Sequence, residues 1–148
     1  MNCPNMPYCT KVESLMDNES IEELTINKQV SVEGHFVNEF RELRERDGLD
    51  ESTIHESLDP EANQTNVFKA GEASGASGSF FFFSNDKKFI VKTMTSEEMK
   101  FFCEVVAQPY FAHLKKYSTS LLARIYGVFS VKISGLKVVY MMLMAHTM

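Results

Sequence analysis

The spacing of apolar residues changes character at Pro60. Before it, one set of apolar residues returns every three or four positions: Phe36, Val37, Phe40 and Leu43. This stripe predicts an amphipathic helix that begins near His35 and stops at Gly48. The charged residues of the same stretch, Arg41 to Arg46, are interpreted as its solvated face and not as a binding site.

A second short helix is predicted from Asp50, a good N-cap residue, to Leu58, because Asp59-Pro60 then ends it. Upstream of both helices, residues 1–34 show no sustained period and contain many polar residues. We therefore expect a leader with little order over residues 1–34, followed by one domain over residues 35–148.

After Pro60 the pattern is that of a β-sheet. Strands are predicted over Thr65–Ala70, Ser79–Ser84 and Lys88–Met94, with a loop over Gly71–Gly78 and a tight turn at Asn85-Asp86. The last two strands form a hairpin. The run Phe80–Phe83 lacks the alternation of a half-exposed strand, which predicts that protein covers both of its faces.

A capping box marks the next helix, because Thr95 and Glu98 stand three residues apart before an apolar stripe. The stripe comprises Met99, Phe102, Val105, Val106, Tyr110 and Leu114. Pro109 has no N–H to donate, which predicts a kink or break near Gln108.

Two more strands are predicted over Leu122–Ile133 and Leu136–Met144, joined by a tight turn at Ser134-Gly135. The chain thus orders as helices, strand pair, helix, strand pair. This order predicts an α+β fold in which helices pack against an antiparallel β-sheet.

Composition narrows the class of protein. A formal net charge of −5 disfavours a nucleic-acid-binding protein, and the 148 residues contain no apolar run long enough for a membrane span. The N-terminal residues lack the pattern of a secretory signal, so a reducing cytoplasmic compartment is expected. Cys103 is expected in the core, and no metal site is predicted because Cys3 and Cys9 have no partner ligands at a recognised spacing.

The loop before the hairpin is the first candidate for a binding site, and it contains Gly75, Ala76, Ser77, Gly78 and Ser79. Glycines let backbone N–H groups approach a phosphate closely, and serine hydroxyls add donors. Such loops also serve merely to turn the chain. Lys92 follows in an apolar strand, where its ammonium must meet an anion or, on an edge strand, face solvent. Glu98 could pair with Lys92 or only cap its helix.

Four sequence blocks then carry a family resemblance: Phe40–Arg44 with the short helix after it, Ser74–Phe81, Phe89–Met94 and Ser120–Val128. In this order and at these gaps they resemble the phosphatidylinositol phosphate kinases. The resemblance covers about Phe36 to Met144 and implies the N-terminal lobe of the kinase core.

The resemblance implies a lipid kinase that transfers the γ-phosphate of ATP, with Mg²⁺, to an inositol hydroxyl of a phosphatidylinositol monophosphate, foremost phosphatidylinositol 4-phosphate. It implies a peripheral location at the cytoplasmic face of a membrane, with the plasma membrane expected. By the same resemblance, Gly75–Ser79 covers the ATP phosphates, Lys92 contacts them, Glu98 pairs with Lys92, and Met144 approaches the hinge that receives adenine. Ala145–Met148 departs from the polar hinge sequence of the family.

In that family the catalytic base and the Mg²⁺ ligands belong to a second lobe, which residues 1–148 do not supply. We therefore expect this polypeptide alone to be inactive as a kinase, and to associate with itself as a homodimer or with a partner kinase. One alternative is a non-catalytic module that binds a partner or a full-length kinase. Another is an unrelated α+β binding domain whose Gly/Ser loop is only a turn.

Overall fold

Seven antiparallel strands form one sheet in the computed structural model, which describes residues 10–16, 19–27, 30–64 and 79–147. The strands are β1 (Thr10–Met16), β2 (Glu19–Asn27), β3 (Val30–His35), β4 (Phe81–Phe83), β5 (Phe89–Met94), β6 (Ile125–Ile133) and β7 (Val139–Ala145). They lie in the order β1-β2-β3-β6-β7-β5-β4. The predicted strand at 65–70 and most of the Gly/Ser loop lie outside the described residues.

The helices are α1 (Val37–Arg46), α2 (Glu51–Ser57), α3 (Ser96–Phe101) and α4 (Ala107–Lys116), with a π-helical turn, Phe102–Val106, between the last two. Residues 60–64 are also helical. Helices against an antiparallel sheet confirm the predicted α+β fold class. Asp50 Oδ1 accepts the N–H of Thr53 at 2.7 Å, as its predicted N-cap role requires.

The hydrophobic core joins the helices to the sheet. Phe40, which is 1% exposed, has its ring centroid 4.9 Å from that of Phe111 and 6.5 Å from that of Phe102. Phe36 contacts the same two rings, and Val128 of β6 is fully buried. The predicted stripe of α1 therefore packs against the π-helical turn and α4. This packing fixes the helices relative to the central strands.

The expected absence of regular structure before residue 35 is wrong for the strands that the structure describes there. β3 pairs with β2 on one side and with β6 on the other, so it lies inside the sheet. Val30 and Val32 alternate with Ser31 and Glu33, which is the period of a strand. The alternation covers too few residues to stand out in a polar segment, and the pairing with β6 supplies what local sequence does not.

The helix around Pro109 continues instead of breaking near Gln108. The irregularity comes earlier, where the N–H of Ala107 donates to the carbonyl of Phe102 and forms a π-helical turn. This extra residue rotates the following positions. Val105, predicted in the buried stripe, is 52% exposed, whereas Ala107 is fully buried.

The predicted coverage of Phe80–Phe83 on both faces is also wrong in part, since Phe80 and Phe83 are each 40% exposed. β4 lies at one end of the described sheet and pairs there only with β5, so its side chains have fewer neighbours. The hairpin itself is confirmed. So is the later pair of strands, whose turn contains Gly135 at φ +81°, a conformation that favours glycine.

Candidate functional site

Lys92 lies in the interior of the sheet and not at its edge. β5 pairs with β4 and β7, and the Cα partners of Lys92 are Phe81 on one side and Met142 on the other. The lysine side chain is only 25% exposed. The interpretation of Lys92 as an edge-strand lysine that faces solvent is therefore wrong, and its ammonium must be stabilised by groups of the protein or a ligand.

Among the described residues, the Lys92 ammonium lies near two groups. Its Nζ lies 3.6 Å from Oε1 of Glu98 and 6.0 Å from the centroid of the Phe81 ring. The Glu98 contact is an ion pair, and the Phe81 contact is at the outer limit of a cation–π interaction. Phe81 was not among the predicted site residues, and its place opposite Lys92 depends on a hairpin register that the sequence analysis did not predict.

Glu98 has both of the roles that the sequence left open. Its Oε2 accepts the N–H of Thr95 at 2.9 Å, and Thr95 Oγ1 accepts the N–H of Glu98 at 3.1 Å, which completes the capping box. Its other oxygen, Oε1, makes the ion pair with Lys92. The start of α3 therefore fixes the carboxylate that orients the lysine.

The C-terminal end of the Gly/Ser loop is attached next to Lys92. The N–H of Phe80 donates to Thr93 Oγ1 at 2.8 Å, and the N–H of Thr93 donates to the carbonyl of Phe80 at 3.0 Å. Ser79, the last predicted loop residue, is buried. The other four, Gly75 to Gly78, lie outside the described residues, so their role stays a prediction.

Met144 lies on the same face of the sheet as Lys92. Its Cα partner on β5 is Ile90, and Ile90 and Lys92 are two positions apart, so their side chains share a face. Met142, opposite Lys92, belongs to that face too. Two backbone hydrogen bonds hold the end of β7. The N–H of Ala145 donates to the carbonyl of Arg124, and the N–H of His146 donates to the carbonyl of Lys88, both at 2.8 Å.

A polar cluster that the sequence did not reveal anchors the start of β6. Asp47 Oδ2 accepts the hydroxyl of Tyr126 at 3.1 Å and lies 3.2 Å from Nε of Arg124. Burial, together with the neighbouring Asp47, raises the pKa of Tyr126 to about 12. Arg44 Nη1 donates to the carbonyl of Tyr126 at 2.6 Å. Arg44, interpreted as part of a solvated face, is thus a structural link between α1 and β6.

With this geometry in place, comparison with known proteins is informative. The family model for phosphatidylinositol-4-phosphate 5-kinase matches residues 62–148, more than half of the sequence. The chain belongs to this family. Membership excludes the alternative of an unrelated α+β binding domain, and it confirms the resemblance drawn from the four sequence blocks.

Among its relatives, a probable phosphatidylinositol phosphate kinase of Dictyostelium discoideum is 38% identical over 64% of this chain and 13% of the relative. A phosphatidylinositol 4-phosphate 5-kinase of Schizosaccharomyces pombe is 35% identical over 64% of the chain and 12% of the relative. The phosphatidylinositol 4-phosphate 5-kinase-like protein 1 of Mus musculus is 30% identical over 71% of this chain and 25% of the relative. The matched region therefore spans a quarter or less of each of these relatives.

In the described part of the chain, no three His, Cys, Asp or Glu side chains come together as a metal-ion site. Nor does any described helix combine the length and the apolar character needed to cross a bilayer.

Proposed function

We propose that this chain is the nucleotide-binding lobe of a phosphatidylinositol phosphate kinase and that its ligand is ATP. The observation that carries the proposal is the 3.6 Å ion pair between Lys92, on an interior strand, and Glu98, at the start of α3. The loop that precedes the hairpin is rich in glycine and serine. A strand lysine held by a helix carboxylate is the arrangement that kinases use to hold nucleotide phosphates.

The described residues fit a nucleotide. The Lys92 side chain is one quarter exposed, so its ammonium could reach phosphate oxygens while Glu98 keeps it in place. Ile90, Met142 and Met144 share its face of the sheet and offer apolar side chains to the flat base. Gly75–Ser79 would cover the phosphates with backbone N–H groups, and its last residue already lies beside β5.

In the proposed reaction, ATP supplies the phosphoryl group and a phosphatidylinositol monophosphate accepts it at a ring hydroxyl. Negative charge on the phosphate oxygens would be stabilised by the Lys92 ammonium, and Glu98 would limit the positions that this ammonium can take. The names of two relatives support phosphatidylinositol 4-phosphate as the acceptor. Such a lipid substrate would place the protein at the cytoplasmic face of a membrane, in the first instance the plasma membrane.

The described residues do not fit a Mg²⁺ site, because they form no cluster of three potential metal ligands. We therefore assign no step of the reaction to residues of this chain acting through Mg²⁺. The proposal limits the role of the described part to binding and orienting the nucleotide.

Phosphoryl transfer by the full-length gene product tests the proposal. Radiolabelled ATP is incubated with vesicles that contain either phosphatidylinositol 4-phosphate or unphosphorylated phosphatidylinositol. We expect label only on the first lipid and no label with Lys92→Ala. Substitution of Lys137, which is exposed in the β6–β7 turn, should leave transfer intact. No transfer by a folded protein that binds lipid would overturn the proposal and favour the non-catalytic module.

A further inference from the structure

A cavity of about 330 Å³ lies between α3 and the sheet. Its walls come from α3 with the π-helical turn on one side and from β3, β6 and β7 on the other. Neither Lys92 nor Glu98 lines it, so it is separate from the proposed nucleotide site. Its volume falls at the lower end of the range of small-molecule sites.

One part of the cavity is apolar. On the helical side it is lined by Met99 of α3, which is 5% exposed, and by Cys103 of the π-helical turn. On the sheet side it is lined by Tyr140 of β7 and by Val138, the residue before β7. These side chains come from elements that the core already holds in place. They provide a preformed surface for a compact apolar group, whose transfer from water is favourable.

The polar part of the cavity contains two ammonium groups. Among the described residues, Lys100 and Lys132 line it together with the carboxylate of Glu33. Lys132 Nζ lies 2.7 Å from Glu33 Oε2, so those two charges compensate each other. Lys100 has an ion pair with Glu104 at 3.9 Å, but both side chains are largely exposed, and such a pair contributes little. Lys100 is thus the cation most accessible to a ligand.

The lining also contains hydroxyl and imidazole groups that can orient a ligand. His35 Nε2 lies 2.7 Å from Ser130 Oγ, and Ser130 is buried. Ser96 and the hydroxyl-bearing ring of Tyr140 complete this part of the wall. The combination of a fixed polar wall, an exposed ammonium and an apolar wall selects for one class of molecule.

We propose that this cavity is a second ligand site, which takes a small amphipathic anion with a compact apolar body and one acidic group. The apolar body lies against Met99, Cys103 and Val138, and the acidic group lies at Lys100. A neutral molecule of the same shape gains only the apolar contact. A cationic one is repelled by the ammonium of Lys100 and is disfavoured.

Two dyes that differ by one sulfonate test this site on the polypeptide 1–148 without nucleotide. They are 1-anilinonaphthalene-8-sulfonate and its neutral counterpart N-phenyl-1-naphthylamine. We expect saturable fluorescence with one sulfonate dye per chain, and binding of the neutral dye weaker by about tenfold. Lys100→Glu and Val138→Asp, both at exposed or partly exposed positions, should each weaken sulfonate binding by about tenfold.

Lys116→Glu is the matched control, because Lys116 is an exposed lysine of α4 outside the cavity. It should leave sulfonate binding unchanged, and circular dichroism should show that all variants keep their helix and strand content. A bound dye should also slow alkylation of Cys103, measured by peptide mass spectrometry. No saturable binding, equal binding of both dyes, or equal loss in the Lys116 variant would overturn the proposal.

Discussion

The carboxylate of Glu98 contacts Lys92 and the start of its own helix with different oxygens. Oε1 lies 3.6 Å from the lysine Nζ, while Oε2 accepts the backbone N–H of Thr95. The capping box therefore restricts the rotamers of Glu98 before any ligand is present. This preorganisation explains how one short sequence motif can position the ammonium of Lys92, which lies on the strand directly before the helix.

The two roles of Glu98 can be separated by substitution. Thr95→Ala removes one bond of the capping box and should lower the free energy of unfolding by about 1 kcal/mol. Glu98→Gln keeps an oxygen that can accept the N–H of Thr95, so its cost should be smaller. It removes the charge that faces Lys92, so nucleotide affinity should fall more than with Thr95→Ala. Urea unfolding and calorimetric titration with ATP measure the two quantities.

Equal losses of stability and of affinity in both variants would contradict this separation. Lys100→Gln serves as a control for loss of an exposed charge on the same helix, since its ion pair with Glu104 is exposed. It should change unfolding by less than about 0.5 kcal/mol.

Local signals in the sequence predicted helix starts and the hairpin better than they predicted the full sheet. The capping box, the hairpin and the N-cap at Asp50 depend on residues close in sequence, and all three are confirmed. β3 was missed because its order comes from pairing with β6, about a hundred residues later. Long-range pairing leaves only a weak local pattern.

Packing accounts for the other differences. The exposure of Val105 follows from a π-helical turn that shifts the register of the stripe, and no residue type marks such a turn. The link between Asp47 and Arg124 joins residues from separate elements, so spacing alone could not reveal it. The Lys92–Glu98 pair could be expected because Glu98 opens the helix that directly follows the strand of Lys92.

Asp86, in the β4–β5 turn, should make the free energy of unfolding fall at acidic pH. Burial acts to raise its pKa, but hydrogen bonds from Ser57, Ser84 and Lys88 outweigh this effect and hold the pKa well below its usual range. A lowered folded-state pKa stabilises the protein above the unfolded value, about 3.9, and the contribution is lost as pH falls below it. Urea unfolding at pH 7 and pH 3 measures this loss.

Asp86→Asn should be less stable than the parent at pH 7 and should lose less stability on going to pH 3. Glu61→Gln, at an exposed position, is the control and should behave like the parent at both values. Equal losses of unfolding free energy in the Asp86 variant and the parent between pH 7 and pH 3 would contradict this role of Asp86.

Tyr126 should ionise later than an exposed tyrosine. Its pKa is raised to about 12 by burial and by Asp47, so the proton is held more firmly in the folded state. This contribution to stability is complete below about pH 10 and is lost as pH rises towards the folded-state value. Absorbance at the phenolate band during an alkaline titration should show a late phase that Tyr126→Phe reduces, and the remainder belongs to Tyr110, whose pKa burial also raises.

Tyr117→Phe, at a tyrosine that is 48% exposed, is the matched control for the loss of one phenol. At neutral pH, Tyr126→Phe should cost about 1 kcal/mol of unfolding free energy, because Asp47 loses one hydrogen-bond donor. A single early phase for all tyrosines of the folded protein would show that Asp47 does not protect Tyr126.

The affinity of the polypeptide 1–148 for ATP, compared between the Lys92→Ala and Lys137→Ala variants by isothermal titration calorimetry, tests the central claim most directly. If Lys92 contacts the phosphates, its variant should bind ATP at least about tenfold more weakly, as expected for loss of a charge-assisted hydrogen bond. The Lys137 variant should bind ATP like the parent. Equal ATP affinity in the two variants would contradict the assignment of Lys92 to a nucleotide site.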